Sequence, residues 1–166
     1  MVLVLLFSLF STVAQAQKAT VDVSLSHTGS IKIKTSGVRG FAVEMFGIYR
    51  AENVMVGLRN LRTGNEVCDK QTKKILQTWK YPEAVLVSAV GKDGKGSGVL
   101  KVRGIAKEIT GTYKVVGHSL DATFPIHLSD YKIEPIEHLG VLVEDTAIIN
   151  ITIPIRSMRT PASRVH

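Results

Sequence analysis

The 166-residue chain is short of the residues that would staple or arm it. It carries one cysteine, Cys68, so no disulfide can form within the chain and its core must hold the fold. Cys68 reads first as a small, half-buried apolar side chain, with a reactive or intermolecular thiol as the alternative. The five histidines (His27, His118, His127, His138 and His166) form none of the tight pairs that zinc prefers. His118 and His127 lie nine apart on one strand-like run, and odd spacing puts them on opposite faces. Ser119 beside His118 has no glycine elbow, so a nucleophilic triad has no starting point. No pair of carboxylates is marked out for glycosidase-type chemistry. Gly91 to Gly96 is glycine-rich but lacks the Gly-Lys-Ser/Thr ending and the helix of a phosphate-binding loop. Catalytic, metal and other cofactor readings thus find no footing.

Aromatic residues are scarce, at 6%, and do not interleave with the basic ones. Lysine and arginine outnumber acidic residues 21 to 14, giving a net charge of +7, but they are scattered along the chain. A groove for nucleic acid needs clustering, so no nucleic-acid partner is expected. Weak attraction to an anionic membrane surface fits a scattered excess better.

Charge is absent from residues 1–16. Val2 to Phe10 is a short apolar run, and Ala14-Gln15-Ala16 has the small-x-small form of a signal-peptidase site. The expectation is a signal peptide over 1–16, a mature chain from Gln17, and a periplasmic or secreted location. The run is too short to span a bilayer as a helix. No cysteine near the cut supports a lipoprotein.

What the rest of the chain has is alternation. Ala19, Val21, Val23 and Leu25 oppose Thr20, Asp22 and Ser24, the pattern of a half-buried strand. After a turn at His27 to Ser30, Ile31 and Ile33 alternate with lysines. Phe41 and Val43 oppose Ala42 and Glu44, and a fourth run covers Glu52 to Leu58. Ala84 to Val90 is apolar on both faces, which predicts that its outer face is covered too. Leu100 and Val102 share a face, and Ile109 to Val116 is a further strand. Leu120, Ala122, Phe124, Ile126 and Leu128 follow, with Pro125 opposite, suggesting an edge or bulge. Ile149, Ile151, Ile153 and Ile155 form the last strand. Residues 157–166 read as a disordered basic tail.

The alternation stops between Leu61 and Pro82. Thr63 or Asn65 can cap a helix there, and Ile75, Leu76 and Trp79 fall at helical spacing. The expectation is one helix from Glu66 to Lys80, ended by Tyr81-Pro82. Eight or nine short strands around one helix predict an all-β, eight-stranded antiparallel barrel, whose closure removes exposed edges. Such a barrel is just wide enough for side chains or one slim ligand.

The order of motifs resembles the YceI-like family of exported, lipocalin-like barrels that bind polyisoprenoid lipids. The matching residues are Leu61-x-Thr63-Gly64-Asn65, Asp69, Ile75-Leu76 and Lys80-Tyr81-Pro82-Glu83-Ala84. Gly98-x-Leu100-x-Val102-Arg103-Gly104-Ile105, Phe124-x-Ile126-x-Leu128-Ser129-Asp130-Tyr131-x-Ile133 and Gly140-Val141 follow in order. The resemblance implies one barrel domain over residues 17–156. Two departures stand out. Cys68 and Gln71 occupy the places of an arginine and a histidine common in the family. Arg103 to Glu108 replaces a His-Gly-Val-Thr-Lys-Pro-like segment. If those positions meet a ligand's head, the head-group preference here differs.

A lipid-binding barrel needs an aliphatic interior and a mouth for one polar head. The inward candidates are Val21, Val23, Ile31, Ile33, Phe41, Val43, Leu86, Leu100, Val102, Phe124, Ile126, Ile149, Ile151 and Ile153. Leu76 and Trp79 are the expected lid contacts. Lys70, Lys73 and Lys74 are the candidates for a phosphate or quinone head. A polyprenyl tail of about forty carbons, at about 0.3 kcal/mol per atom, supplies on the order of 10 kcal/mol. The reading is a non-enzymatic carrier or reservoir for an isoprenoid or other long-chain amphipathic lipid, with no separate cofactor. The alternative is a structural or adhesive barrel with a filled core, acting through its basic surface. Monomer and homodimer both stay open.

Overall fold

The computed structural model describes residues 17–25, 29–134, 137–138 and 141–157. The expected leader, the tail beyond Ser157, the His27-Thr28 turn and Gly140 lie outside the described residues. Of Val23 only the backbone is described.

The chain begins with β1 (Lys18–Leu25), β2 (Gly29–Thr35), β3 (Val38–Arg39), β4 (Ala42–Met45) and β5 (Ile48–Gly57). After helix α1 (Glu66–Ile75) come β6 (Glu83–Lys92), β7 (Lys95–Val102), β8 (Ile105–Val116) and β9 (Ser119–His127). A 3-10 turn (Leu128–Tyr131), β10 (Glu137–His138) and β11 (Val141–Ser157) complete it.

The ring runs β11-β4-β5-β6-β7-β8-β9 and closes where β9 pairs again with β11. The expected barrel is therefore all-β with one inserted helix, but seven strands make the closed ring. One of its seams, β11 to β4, is parallel. β1 and β2 form a hairpin attached along the other part of β11. Its free side meets the excursion after β5, where Lys34 and Arg62 exchange backbone bonds of 2.8 and 3.0 Å, and β5 itself, where the Thr35 hydroxyl donates to the Gly57 carbonyl. The 17 residues of β11 thus serve β1, β4, β9 and β10.

Three local features depart from simple alternation. The first is β6. Its pairing to β7 shifts by one between Leu86 and Ser88, which is a bulge. The inward series is Ala84 and Leu86 before the bulge, and Ala89 and Gly91 after it. The inward set therefore changes parity within the strand. Its outer face is not covered: Val87 and Val90 are exposed.

The second is β4. The inward residue is Ala42, 1% exposed, paired with Ala51 on one side and Ile155 on the other. Phe41 and Val43 are only half-buried, and the Arg156 guanidinium sits 3.8 Å above the Phe41 ring. The inward expectation for Phe41 and Val43 is corrected. Two alanines fit where strands β4 and β5 meet the start of the parallel seam, and larger side chains are turned out.

The third is the end of α1. The helix stops at Ile75, five residues short of the expected Lys80. Gln77 takes a left-handed φ of 51°. The Thr78 N–H then donates to the Lys73 carbonyl and the Gln77 N–H to the Lys74 carbonyl, each at 3.0 Å. This double closure reverses the chain and satisfies the last helical carbonyls. Proline is not the stop signal, and Trp79 falls beyond the reversal.

Pro125 pairs with Ile148 on β11, while the β8 pairing on its other side has ended at Thr123. Its missing N–H therefore costs no ladder bond on that side.

Glutamine tolerates a left-handed backbone poorly, whereas glycine adopts it freely. Gln77→Gly is therefore expected to raise stability by about 0.5–1 kcal/mol. Equilibrium urea unfolding measures this. A lowered midpoint would show that the Gln77 side chain matters more than its backbone.

Candidate functional site: a lined cavity under the helix

Helix α1 lies in an excursion that leaves the barrel after β5 and returns before β6. The Leu58 N–H donates to the Pro82 carbonyl at 2.8 Å and closes its base. The Asn65 side chain caps the helix, accepting from the Val67 and Cys68 N–H groups at 2.9 and 3.2 Å. Asp69 ties it down. Its carboxylate accepts from the Thr63 N–H at 2.6 Å and the Thr63 hydroxyl at 2.8 Å, with Arg62 3.7 Å away. The Thr63 backbone bond, followed by its hydroxyl, holds the Asp69 carboxyl below its ordinary pKa.

The helix turns Cys68, Gln71, Thr72 and Ile75, with Leu76 after them, toward a cavity in the barrel. These positions follow the 3–4 residue repeat of one helix face. The cavity is about 180 Å³. Its walls come from β1, β2, β5, β6, β7, β9 and β11. Of the expected interior residues, Val21, Ile31, Ile33, Leu86, Leu100, Val102, Phe124, Ile126, Ile149 and Ile151 line it, and so does Leu76 of the expected lid. No charged side chain is among its lining residues. Its polar members are Thr35, Gln71 and Thr72, with the Cys68 thiol. Thr35 is already engaged, donating to the Gly57 carbonyl at 2.9 Å.

A second cavity of about 80 Å³ lies farther along the barrel. Tyr49 and Tyr113, in edge-to-face contact at 5.3 Å, belong to its wall, as do Ala89, Ala122 and Ile153. Leu86, Phe124 and Ile151 line both cavities.

Several expected site residues lie elsewhere. Trp79 is 66% exposed and off both linings, because the chain reversal at Gln77 carries it away. Lys70 and Lys74 are exposed, Lys73 is half-buried, and none lines either cavity. They occupy the helix faces beside the Cys68–Gln71–Thr72 face. Phe41 and Val43 line neither cavity, and Ile153 belongs to the smaller one. Thr72 and Thr35 carried no functional signal in the sequence. Thr72 follows from its place one residue after Gln71 on the inward face, once the helix phase is known.

A Ser–His–Asp group does occur on the surface. Asp145 accepts from the Ser129 N–H at 2.8 Å and the Ser129 hydroxyl at 2.7 Å, and His127 Nδ1 is 3.6 Å from it. The order is wrong for nucleophilic catalysis. The serine proton is held by the carboxylate and not by the imidazole, and all three residues are exposed. Asp145 instead ties the start of the 3-10 turn to β11. The hydroxyl and then the backbone of Ser129 hold its pKa below the usual carboxylate value.

The YceI-like domain model matches residues 11–155. The chain belongs to the YceI-like family. Solved structures agree on the fold of this YceI-like barrel. Burkholderia cenocepacia BcnA is 14% identical with a TM-score of 0.63, covering 82% of this chain and 94% of that one. A Saccharophagus degradans domain is 13% identical with a TM-score of 0.55, covering 82% of this chain and 91% of its own. That domain is described as polyisoprenoid binding and implicated in plant cell wall breakdown. A comparison with curated proteins finds no match.

The Asp69 anchor gives a pH signature. A depressed folded-state pKa adds stability above the unfolded value, about 3.9 for aspartate, and loses it as pH falls through the folded value. Relative to Asp69→Asn, the natural protein is expected to be more stable at neutral pH, with the difference shrinking below about pH 4. Denaturant midpoints for both proteins at stepped pH test this. A pH-independent difference would show that the carboxylate charge contributes nothing.

Proposed function

We propose that this YceI-like chain is an exported, non-catalytic barrel that holds a polyisoprenoid or similar amphipathic lipid, as carrier or reservoir. The observation that carries the reading is the aliphatic cavity beneath α1. A barrel whose side chains simply filled it would leave no such void at native packing density. Its walls offer van der Waals contact and almost nothing to a polar solute, as apolar ligand sites do. The polyisoprenoid binding described for the Saccharophagus degradans domain supports the ligand class. The leader-like residues 1–16 support export.

The head group we propose is uncharged. Gln71, exposed at the rim, and the half-buried Thr72 line the helix side of the cavity, and none of the three lysines does. A bare phosphate there would face a largely apolar wall without a counter-charge, which is costly. A quinone or alcohol head needs only neutral hydrogen bonds.

The cavity also limits the tail. An apolar cavity of ~150 Å³ takes up a benzene-sized molecule, so the space here holds about seven carbons as it stands. A tail of about forty carbons must push side chains apart or leave part of itself outside.

Native mass spectrometry of the protein from its own host, with organic extraction in parallel, is expected to show a discrete added mass that moves to the organic phase. A clean unliganded mass with no uptake of added polyprenyl lipids would instead favour the structural-barrel alternative. Replacing Lys70, Lys73 and Lys74 together by glutamine is expected to leave occupancy unchanged. Gln71→Leu is expected to weaken a hydroxyl- or quinone-headed ligand about three- to tenfold, the worth of one neutral hydrogen bond. Titration of each variant with the extracted lipid reads both effects, and the opposite ranking would return the head group to the lysines.

A further inference from the structure

The two cavities share three wall residues from three strands: Leu86 on β6, Phe124 on β9 and Ile151 on β11. All three are buried. The space between the cavities is therefore one layer of side chains, and Phe124 is the largest of them. Across from it stands Gly111, where a Cβ would come within 2.6 Å of the Phe124 Cβ and 2.4 Å of the Thr123 carbonyl oxygen. Residue 111 has no side chain to brace the ring, and Phe124 fills that space instead. The helix with its polar groups lies at the larger cavity, so a chain anchored there meets the Phe124 layer with its far end.

We propose that the Leu86–Phe124–Ile151 layer sets ligand chain length, with Phe124 as the principal stop. A tail up to the layer is buried in the larger cavity. A longer one enters the second cavity only if the ring yields. The proposal rests on the lipid-binding reading above and adds to it the residue that measures the tail.

The test uses straight-chain primary alcohols of increasing length, bound to the full mature protein and followed by native mass spectrometry and dye displacement. Each newly buried methylene tightens binding about fourfold. In the natural protein this rise is expected to break at one chain length. In Phe124→Ala it should continue past the break, reaching about fifteenfold tighter binding than the natural protein two methylenes further on. Adding Ala122→Leu, which fills the second cavity, should return the break to its original place. Val87→Ala, on the exposed outer face of β6 and off both linings, should leave the break where it is. Circular dichroism checks that each variant is folded. Phe124→Leu, a smaller truncation, gives the same direction of shift if Phe124→Ala does not fold.

An unmoved break in the Phe124 variants, with alcohols still bound, overturns the chain-length layer and leaves lipid binding standing. A shift that Ala122→Leu does not reverse also overturns it, since the tail is then not in the second cavity. Failure of the natural protein to bind any alcohol or the extracted lipid overturns the lipid-binding reading itself, and the layer with it.

Discussion

The pairing of β9 with β11 is the constraint on which the rest depends. From Pro154 against Ser119 to Thr146 against His127, it closes the seven-strand ring and pairs the side of β9 that would otherwise be an open edge. A closed ring of backbone hydrogen bonds holds its walls at fixed spacing whether or not the middle is filled. That separates this fold from a sandwich or a helical bundle, where side chains must meet for the layers to stay together. A void in such a core costs lost dispersion contacts and invites collapse. In the barrel, the ladder resists collapse, and the cost of the void becomes available to a ligand that fills it.

Closure also sorts the residues along each strand. Ile149 and Ile151 line the larger cavity and Ile153 the smaller, because one strand runs past both. This much was legible in the sequence, since an uninterrupted alternation has only one inward parity. Legibility failed where parity changed within a strand. The bulge at Val87 reverses the inward set of β6, and a run apolar on both faces reads equally well as a strand covered on both sides. At β4 the error came from ranking by size. Phe41 and Val43 are the larger apolar residues, yet the alanine between them is buried, because its neighbours across both seams are Ala51 and Ile155. Local hydrophobicity does not report how much room a barrel leaves at a given level.

The helix teaches a related lesson. Its N-terminus was readable because Asn65 is a capping residue followed at the right distance by helical sequence. Its C-terminus was not, because Gln77 adopts the left-handed turn that glycine usually marks. Misplacing the end by five residues put Trp79 on the lid and obscured the phase of the inward face. With the end corrected, the face is Cys68, Gln71, Thr72 and Ile75, and the lysines fall outside it. The two positions that depart from the family's Arg-Asp-x-His pattern are therefore cavity positions. The Asp69 between them has turned away to bind Thr63 and anchor the helix.

That division of labour along one helical turn bears on the chemistry of the site. Asp69 is buried with its charge satisfied by Thr63 and Arg62, and it lines neither cavity. The positions on either side of it, Cys68 and Gln71, bring a thiol and an amide to the cavity wall. An arginine at 68 would bring a fixed positive charge to a wall of leucine, valine and isoleucine, and burial there would demand an anionic partner. An amide makes no such demand. It donates and accepts at once, so it can meet a carbonyl or a hydroxyl without any change of protonation. On the proposed lipid-binding function, a neutral head contact of this kind would orient the ligand and add little to affinity. Length and shape of the tail would then be the properties by which the barrel discriminates.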